Sequence, residues 1–388
     1  MKDFASLDKE FDLVLEVGDL HSGRSNNAGW AFEVTYYFFK LFLIPLIKNL
    51  KKKYPNRNIK ILYLGDQYDN KQLLSQYINC EFVDLIEEIS DICEQIFLIG
   101  NHDTPIKKNL RIHANKTISY MPNCTVIDTP TLVTSSLGEK ILLVSWISEI
   151  EQFNLVLDKA EIEEVDHIFG HNTVSGFFYE GKKVEDHEGP HYRRFDCFKS
   201  TRLGHIHSRQ EKGNVKYIGS PYHIREIEHK NIMNGVELID YENNLEIFYE
   251  NKVSPKYKRV GIMQLMNSTL EQANKIVENS YITVVVPINL ETPINAAKIG
   301  QVLTGFKKFD VKHEDLKKKE LTINDDSPNL ETLEIDPKEK LLEYIDDEKI
   351  VMIDNQSLSL TDEIKEGAKK KLLSIMEVAK ESMKHYDL

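Results

Sequence analysis

At 388 residues the chain is too long for one small core and calls for two or three structural units. Its 41% hydrophobic and 29% charged content is that of an ordinary soluble protein, and a formal net charge of −13 excludes a surface that coats nucleic acid indiscriminately. Nucleic acid as a substrate stays open, because divalent metals in a cleft reverse the local field. The four cysteines (Cys80, Cys93, Cys124, Cys197) are scattered without a Cys-x-x-Cys pair and read as thiols of a reducing compartment. Met1 to Glu10 is polar and carries no signal-peptide pattern, so the expected location is cytoplasmic, the host cytoplasm if the chain is phage-encoded.

In chain order, Phe11 to Val17 is a β-rich run ending at Gly18, followed by the apolar stretch Trp30 to Ile47. Glu33, Lys40 and Pro45 interrupt that stretch, which makes it a buried crossover helix rather than a membrane span. The basic connector Lys48 to Lys60 reads as a solvated helix end. Ile61 to Leu64 is a strand, Leu73 to Cys93 has helical spacing, and Ile96 to Ile99 is a third strand. Strand and helix alternating at this rhythm mean parallel βαβ units, whose ligands lie beyond the carboxyl ends of the strands.

After Asn115 the runs shorten: Thr125 to Ile127, Thr131 to Val133, Ile141 to Trp146, His167 to Phe169, Thr201 to Leu203, Val215 to Ile218, Gly235 to Ile239 and Leu245 to Tyr249. They predict a second, partly antiparallel sheet packed on the first. The polar segment Asn172 to Lys199 between two of them reads as a mobile loop near the site. The fold class is therefore α/β: two packed mixed sheets flanked by helices, spanning residues 1–253. Residues 254–313 form a smaller βαβα unit, with strands at Val260 to Leu265 and Tyr281 to Val286 and helices at Leu270 to Glu278 and Ile294 to Leu303. Residues 314–335 read as a linker and 336–388 as terminal helices, opened by Asp336-Pro337 and carrying an apolar stripe through Ile364, Ala368, Leu372, Ile375, Ala379 and Met383.

Five of the predicted strands end in a small residue followed by metal-ligand types. These are Gly18-Asp19-Leu20-His21, Gly65-Asp66-Gln67-Tyr68-Asp69, Gly100-Asn101-His102-Asp103, Gly170-His171 and Gly204-His205-Ile206-His207. Asp19, His21, Asp66, Asn101, His171, His205 and His207 together supply two carboxylates, one amide oxygen and four imidazoles. One aspartate can bridge two cations with its two oxygens, leaving three further ligands for each. This thiolate-free N/O set suits Mn²⁺, Fe or Zn²⁺. A pair of cations roughly 3.5–4 Å apart clamps the attacking and leaving oxygens of a phosphoryl group. His102 points the other way from its ligand neighbour and can give a proton to the leaving oxygen, with Asp103 to orient its ring. His113, His167, His187, His191, His223, His229, His313 and His385 read as structural or solvated.

The ordered set Asp-x-His, Gly-Asp-x-x-Asp, Gly-Asn-His-Asp, Gly-His and Gly-His-x-His resembles the calcineurin-like metallophosphoesterase superfamily. The resemblance implies a first metal held by Asp19, His21, Asp66 and His207, a second held by Asp66, Asn101, His171 and His205, and His102 as the catalytic histidine. Asn70 and Asp103 stand where the protein Ser/Thr phosphatases of the superfamily carry Arg and Glu, which disfavours that branch. Tyr217-Ile218-Gly219-Ser220-Pro221, the small unit after Ser254 and the terminal segment are similar to the SbcD-type DNA repair nucleases, and Gly170 to Pro190 to their phage-encoded members. That likeness implies a Mn²⁺-dependent exonuclease and single-strand endonuclease that processes double-strand DNA ends in recombination and repair. It further implies a homodimer, with a contact near Asp69 to Cys93, that works with an SMC-like ATPase docked on the terminal helices. Arg24, Lys107, Lys108, Arg111 and Arg209 are the candidate phosphate contacts. The competing expectations are a metallophosphoesterase acting on nucleotides or phosphoprotein, and a non-enzymatic ATPase scaffold.

Overall fold

The computed structural model describes residues 3–24, 29–70, 74–106, 109–230, 233–288, 300–314, 350–353 and 356–359. The chain divides into two compact units, Met1–Leu316 and Lys317–Leu388. In the first, strands β1 (Ala5–Phe11) and β2 (Leu13–Val17) precede helices α1 (Gly29–Tyr37) and α2 (Ile44–Lys53), joined by a π-helical turn at Phe38–Leu43. The widened turn ends where Pro45, with no N–H to give the preceding turn, enters the helix. There follow β3 (Ile59–Tyr63), α3 (Gln76–Ser90), β4 (Glu94–Leu98), β5 (Cys124–Ile127), β6 (Thr131–Ser135), β7 (Lys140–Val144), α4 (Ile150–Ile162) and β8 (His167–Gly170). The hairpin β9 (Phe178–Tyr179) and β10 (Lys182–Lys183) leads to β11 (Ser200–Leu203), β12 (Gln210–Lys212), β13 (Val215–Tyr217), β14 (Gly235–Asp240) and β15 (Leu245–Glu250).

Two mixed sheets result, in the orders β15-β14-β2-β3-β4-β5 and β1-β6-β7-β8-β11-β13-β12. The period-2 alternation of each strand assigns its side chains to layers. Leu13, Leu15 and Val17 of β2 face α1–α3, as do Ile59, Ile61 and Tyr63 of β3. Val14, Leu62, Leu64, Ile96 and Leu98 face the other way and meet Ile141, Leu143 and Phe169 of the second sheet. Leu142, Val144, Ile168 and Leu203 turn to the outer layer, where α4 packs through Phe153, Val156, Leu157 and Ala160. Burial on both faces explains why β2, β3 and β4 read as nearly continuous apolar runs.

Several details depart from the sequence reading. Helix α4 falls in a region expected to hold only strands; its i, i+3, i+4, i+7 spacing is present, but the N-cap Glu149 makes no capping bond and nothing announces the start. β1 was not expected, being a polar edge strand that pairs with β6 across an irregularity between Ser6 and Glu10. β5, β14 and β15 join the first sheet, not the second. β14 pairs antiparallel with β2, placing Val236 and Leu238 on the helix-covered face and Ile239 between the sheets. Residues 172–199 are no loose loop: Val174, Phe177, Val184, Phe195 and Phe198 are buried in the outer core, and the Val174 N–H donates to the Tyr217 hydroxyl (2.8 Å).

Strands β16 (Lys256–Gly261), β17 (Ser280–Pro287) and β18 (Lys308–Glu314) form a separate parallel sheet in that order. It packs on α5 (Ile262–Met266) and α6 (Leu270–Val277) through its own core of Val260, Ile262, Leu265, Ala273, Val277, Ile282 and Val284. The strand expected to run to Leu265 stops at Gly261 and turns into α5. Most of the helix expected at Ile294 to Leu303, and the linker at 315–335, lie outside the described residues. In the second unit, β19 (Ile350–Ile353) and β20 (Gln356–Ser359) pair as an antiparallel hairpin, so this part of 336–388 is not helical; the stripe from Ile364 lies outside the described residues. No described helix is long and apolar enough to cross a membrane.

Candidate active site

The carboxyl ends of β2, β3 and β4 in one sheet and of β8 and β11 in the other meet at one rim of the sandwich. Backbone bonds lock their loops together: the N–H groups of Leu20 and His21 both donate to the Asp66 carbonyl (3.1 and 2.9 Å), and Gly204 N–H donates to Gly170 (3.0 Å). His21, Asp66 and His205 have positive φ (45°, 52° and 84°), a strained conformation for residues with a Cβ, of order 1–3 kcal/mol each. Glycine is required beside them. A Cβ on Gly65 (φ +101°) would stand 2.3 Å from the His171 ring, and one on Gly100 would stand 2.1 Å from Asp66 Oδ1.

Asp19, His21 and His207 form one group whose ligand atoms all lie within 4.8 Å of one another. His21 Nδ1 bonds Asp69 Oδ1 (3.0 Å) and His207 Nδ1 bonds Glu228 Oε1 (2.7 Å). A carboxylate only accepts, so both protons sit on Nδ1, and the two Nε2 atoms face each other 3.1 Å apart. Two lone pairs converging beside the Asp19 carboxylate attract only with a cation between them. Imidazoles braced by carboxylates are also how metal-ligating histidines are held. Burial opposes charge on His207, but its bond to Glu228 raises its pKa. The same bond holds Glu228 below its ordinary range against the effect of burial.

Asp66, His171 and His205 form the second group. His171 donates Nδ1–H to the Leu64 carbonyl (2.6 Å), turning Nε2 toward Asp66 Oδ2 (3.3 Å) and Asn101 Oδ1 (3.2 Å). Burial pushes His171 down, but the charge of Asp66 carries it up to about 9. His205 pairs Nε2 with the Thr173 hydroxyl (3.1 Å) and aims Nδ1 at Asn101 Oδ1 (2.9 Å). Burial, then the neighbouring His171, lower it to about 3, so it is a neutral donor. Asp66 links the groups through one oxygen. Oδ2 lies 3.5 Å from His21 Nε2 and 3.3 Å from His171 Nε2, while Oδ1 accepts the His102 N–H (2.7 Å). Oδ2 is thus the oxygen that faces both groups. All seven side chains singled out in the sequence stand in this cluster, a donor set of carboxylate, amide and imidazole that fits a pair of divalent cations.

His102 sits at the edge of the first group, its ring 4.7 Å from that of His21. Its Nδ1 donates to the Asp69 carbonyl (2.6 Å), which leaves Nε2 for a substrate oxygen. Burial lowers its pKa. Asp103 is not the residue that orients this ring. It is buried and accepts from the N–H groups of Tyr68 (3.0 Å) and Gly100 (2.9 Å), bracing the two ligand loops from beneath. Burial and the charge of Asp66 push it up to about 8.

Besides Thr173, three residues were missed. Asp69, the last residue of Gly-Asp-x-x-Asp, holds His21 by its side chain and His102 by its carbonyl. Glu228 holds His207, and no local pattern marks it because it stands 21 residues away on a short 3-10 turn. Tyr179 stacks on His205 with ring centroids 5.6 Å apart and planes 8° from parallel. The proposed phosphate contacts fare differently. Arg24 is buried, donates to the His223 carbonyl and lies over the rings of Tyr257 and Tyr281 of the small sheet. Arg209 bonds Glu237 (2.6 Å) and covers Phe248. Both are structural. Arg111 is exposed, and Lys107 and Lys108 lie outside the described residues. Among the remaining histidines, His167 bonds Ser200 and Glu139, and His223 accepts from Tyr257 N–H, as structural residues do.

Comparison with known proteins agrees with this geometry. The chain is 26% identical to Exonuclease subunit 1 of Enterobacteria phage T4 over 245 residues, which cover 62% of this chain and 68% of that one. The family model for calcineurin-like phosphoesterases matches residues 13–209, a span that begins at β2 and includes every side chain of the cluster. A phosphate-ester hydrolase fold that works with divalent metals, and about half the chain matched to it, place the protein in the calcineurin-like phosphoesterase family.

Proposed function

We propose that the protein is a DNA nuclease that hydrolyses phosphodiester bonds at this rim. The observation that carries the reading is the convergence of imidazole nitrogens on Asp19 and Asp66, each ring backed by a carboxylate, carbonyl or hydroxyl partner. Asp19, His21, Asp66 and His207 would hold one divalent ion, and Asp66, Asn101, His171 and His205 a second, with Mn²⁺ the favoured metal. Bound there, the ions supply Lewis-acid stabilisation of the phosphate oxygens.

The chain's own residues do the rest. His102, fixed by the Asp69 carbonyl, offers Nε2 to the scissile phosphate and exchanges a proton with the leaving oxygen when it is doubly protonated. Asp69 and Glu228 fix the tautomers of His21 and His207. The name of the phage relative supports DNA ends as substrate and a multi-subunit setting. An SMC-like ATPase partner for the terminal segment, a homodimer and a cytoplasmic location belong to the same proposal.

The test is cleavage of linear and single-stranded DNA by purified protein with and without Mn²⁺. Metal-stimulated cutting is expected. Hydrolysis of bis(p-nitrophenyl) phosphate that long DNA fails to inhibit would instead indicate a phosphoesterase for nucleotides or phosphoprotein.

A further inference from the structure

The segment between His171 and β11 sends one element up to the rim, the β9–β10 hairpin. Its two-residue turn has positive φ at both Glu180 (49°) and Gly181 (83°), the tight turn that suits the twist of a two-stranded ribbon. The ribbon is pinned at three places. Tyr179 stacks on His205. Glu180 pairs with Arg225 (2.6 Å), three residues before the His207 partner Glu228. The Gln210 side chain clasps both backbone groups of Phe178, accepting from its N–H (2.9 Å) and donating to its carbonyl (2.7 Å).

Alternation along β9 turns Phe178 away from Tyr179, and the ring is left 52% exposed on a rigid backbone. By register Lys183 lies opposite Phe178 and Lys182 opposite Tyr179, both exposed. Of the acidic neighbours, Asp186 accepts from Ser175 (2.5 Å), Glu188 from the Glu185 N–H (2.8 Å) and Glu180 is held by Arg225, while Glu185 is exposed. A chain of net charge −13 thus sets Phe178 and Lys183 on one face of a ribbon and Lys182 on the other, the face whose Tyr179 stacks on a metal-type ligand. One ring flanked by lysines is a poor match for a protein partner, which needs contiguous apolar area. It suits a single strand, whose bases stack on aromatic faces while its phosphates meet cations.

We propose that the β9–β10 hairpin is the arm that receives a single-stranded DNA end, with Phe178 stacking on an unpaired base and Lys182 and Lys183 meeting the adjacent phosphates. The proposal rests on the nuclease reading above and names its substrate form. Because the ribbon is already ordered, little conformational freedom is lost when the strand docks.

The experiment compares full-length, Mn²⁺-loaded wild type with Phe178→Ala, Phe178→Trp and the Lys182→Ala/Lys183→Ala double variant. The substrates are a single-stranded oligonucleotide and bis(p-nitrophenyl) phosphate. Phe178→Ala is expected to raise KM for the oligonucleotide about tenfold with a much smaller change in kcat, and Phe178→Trp to restore it. The lysine variant is expected to flatten the slope of log KM against log salt by about 1.4, two phosphate contacts on a single strand. The ratio of oligonucleotide to bis(p-nitrophenyl) phosphate kcat/KM should fall as KM rises in Phe178→Ala and in the lysine variant, and stay near the wild-type value in Phe178→Trp. Oligonucleotide KM within twofold of wild type in all variants would overturn the proposal, as would losses equal on both substrates, which would mark Phe178 as structural. Wild-type protein that cleaves the small ester and no DNA would remove the nuclease reading itself, an outcome distinct from either.

Discussion

Strands β2 and β11 each carry one buried charged residue and, three residues further on beyond the strand's end, one residue of the rim, and the inner and outer pairs have opposite fates. The inner pair is Glu16 and Arg202, between the sheets. Arg202 donates to Glu16 and Glu237 (2.8 Å each) and reaches Glu246, while Arg209 and Lys216 take the remaining carboxylate oxygens of Glu237 and Glu246. That network brings its own cations to Glu237 and Glu246, while burial favours the protonated form of Glu16. The outer pair is Asp19 and His205, at the rim, where carboxylates, an amide oxygen and ring nitrogens face one another and the Nδ1 protons of His21 and His207 are committed to Asp69 and Glu228. Buried charge that balances itself is structure. Buried donors that converge on one another make a site.

The comparison can be broken at its strongest point. His102→Ser removes the one imidazole of the rim not assigned to a metal, and turnover should fall by about 10²–10⁴ while metal content stays at the wild-type level. Single-turnover DNA cleavage with metal analysis on the same sample checks this, and retained turnover would remove His102 from the chemistry.

Next in size is the inner network. Arg202→Met leaves Glu16 buried without its cation and Glu237 with Arg209 and Lys216 alone, and stability should drop by about 3–5 kcal/mol in urea unfolding, with the metal ligands themselves untouched. A loss under 1 kcal/mol would mean that the network does not hold the sheets together.

Smaller again, Glu228→Gln and Asp69→Asn keep the shape but not the charge behind His207 and His21. Metal affinity is expected to fall about 10–100-fold in each, read by competition with a chelating dye.

A further effect depends on pH. Burial pushes Glu16 up to about 8, so its folded pKa lies above the unfolded value of about 4.5. Such a group contributes stability that is complete below about pH 4.5 and is lost as pH rises through about 8. Glu16→Gln has no such dependence, so its Tm relative to wild type should improve steadily from pH 5 to pH 9. A constant difference would contradict the shift.

The ligands were legible in the sequence because each follows a short apolar strand and a small residue, a local pattern that strand geometry converts into position. The parallel order of β2, β3 and β4 was legible for the same reason. What holds the ligands was not. Glu228 and Tyr179 reach the site from turns whose placement depends on long-range packing, and Thr173 meets His205 across 32 residues. Asp103 was misread because adjacency to His102 suggested contact, whereas the backbone turn sends its carboxyl inward to two amide groups. Arg24 and Arg209 were misread because nearness in sequence to the motifs says nothing about which face of the loop a long side chain takes. Helix α4 and the partnership of β14 with β2 were lost to a region where short strands crowd together and several pairings satisfy the same alternation.

The account stands on Asp66 joining two groups of ligands through one oxygen. Metal bound per chain, measured together with DNA cleavage for wild type and Asp66→Ala after loading with Mn²⁺, tests this directly. The wild type should hold two ions and cut DNA, and Asp66→Ala should lose bound metal and cleavage together. An Asp66→Ala protein that keeps both ions and cuts at the wild-type rate would contradict it.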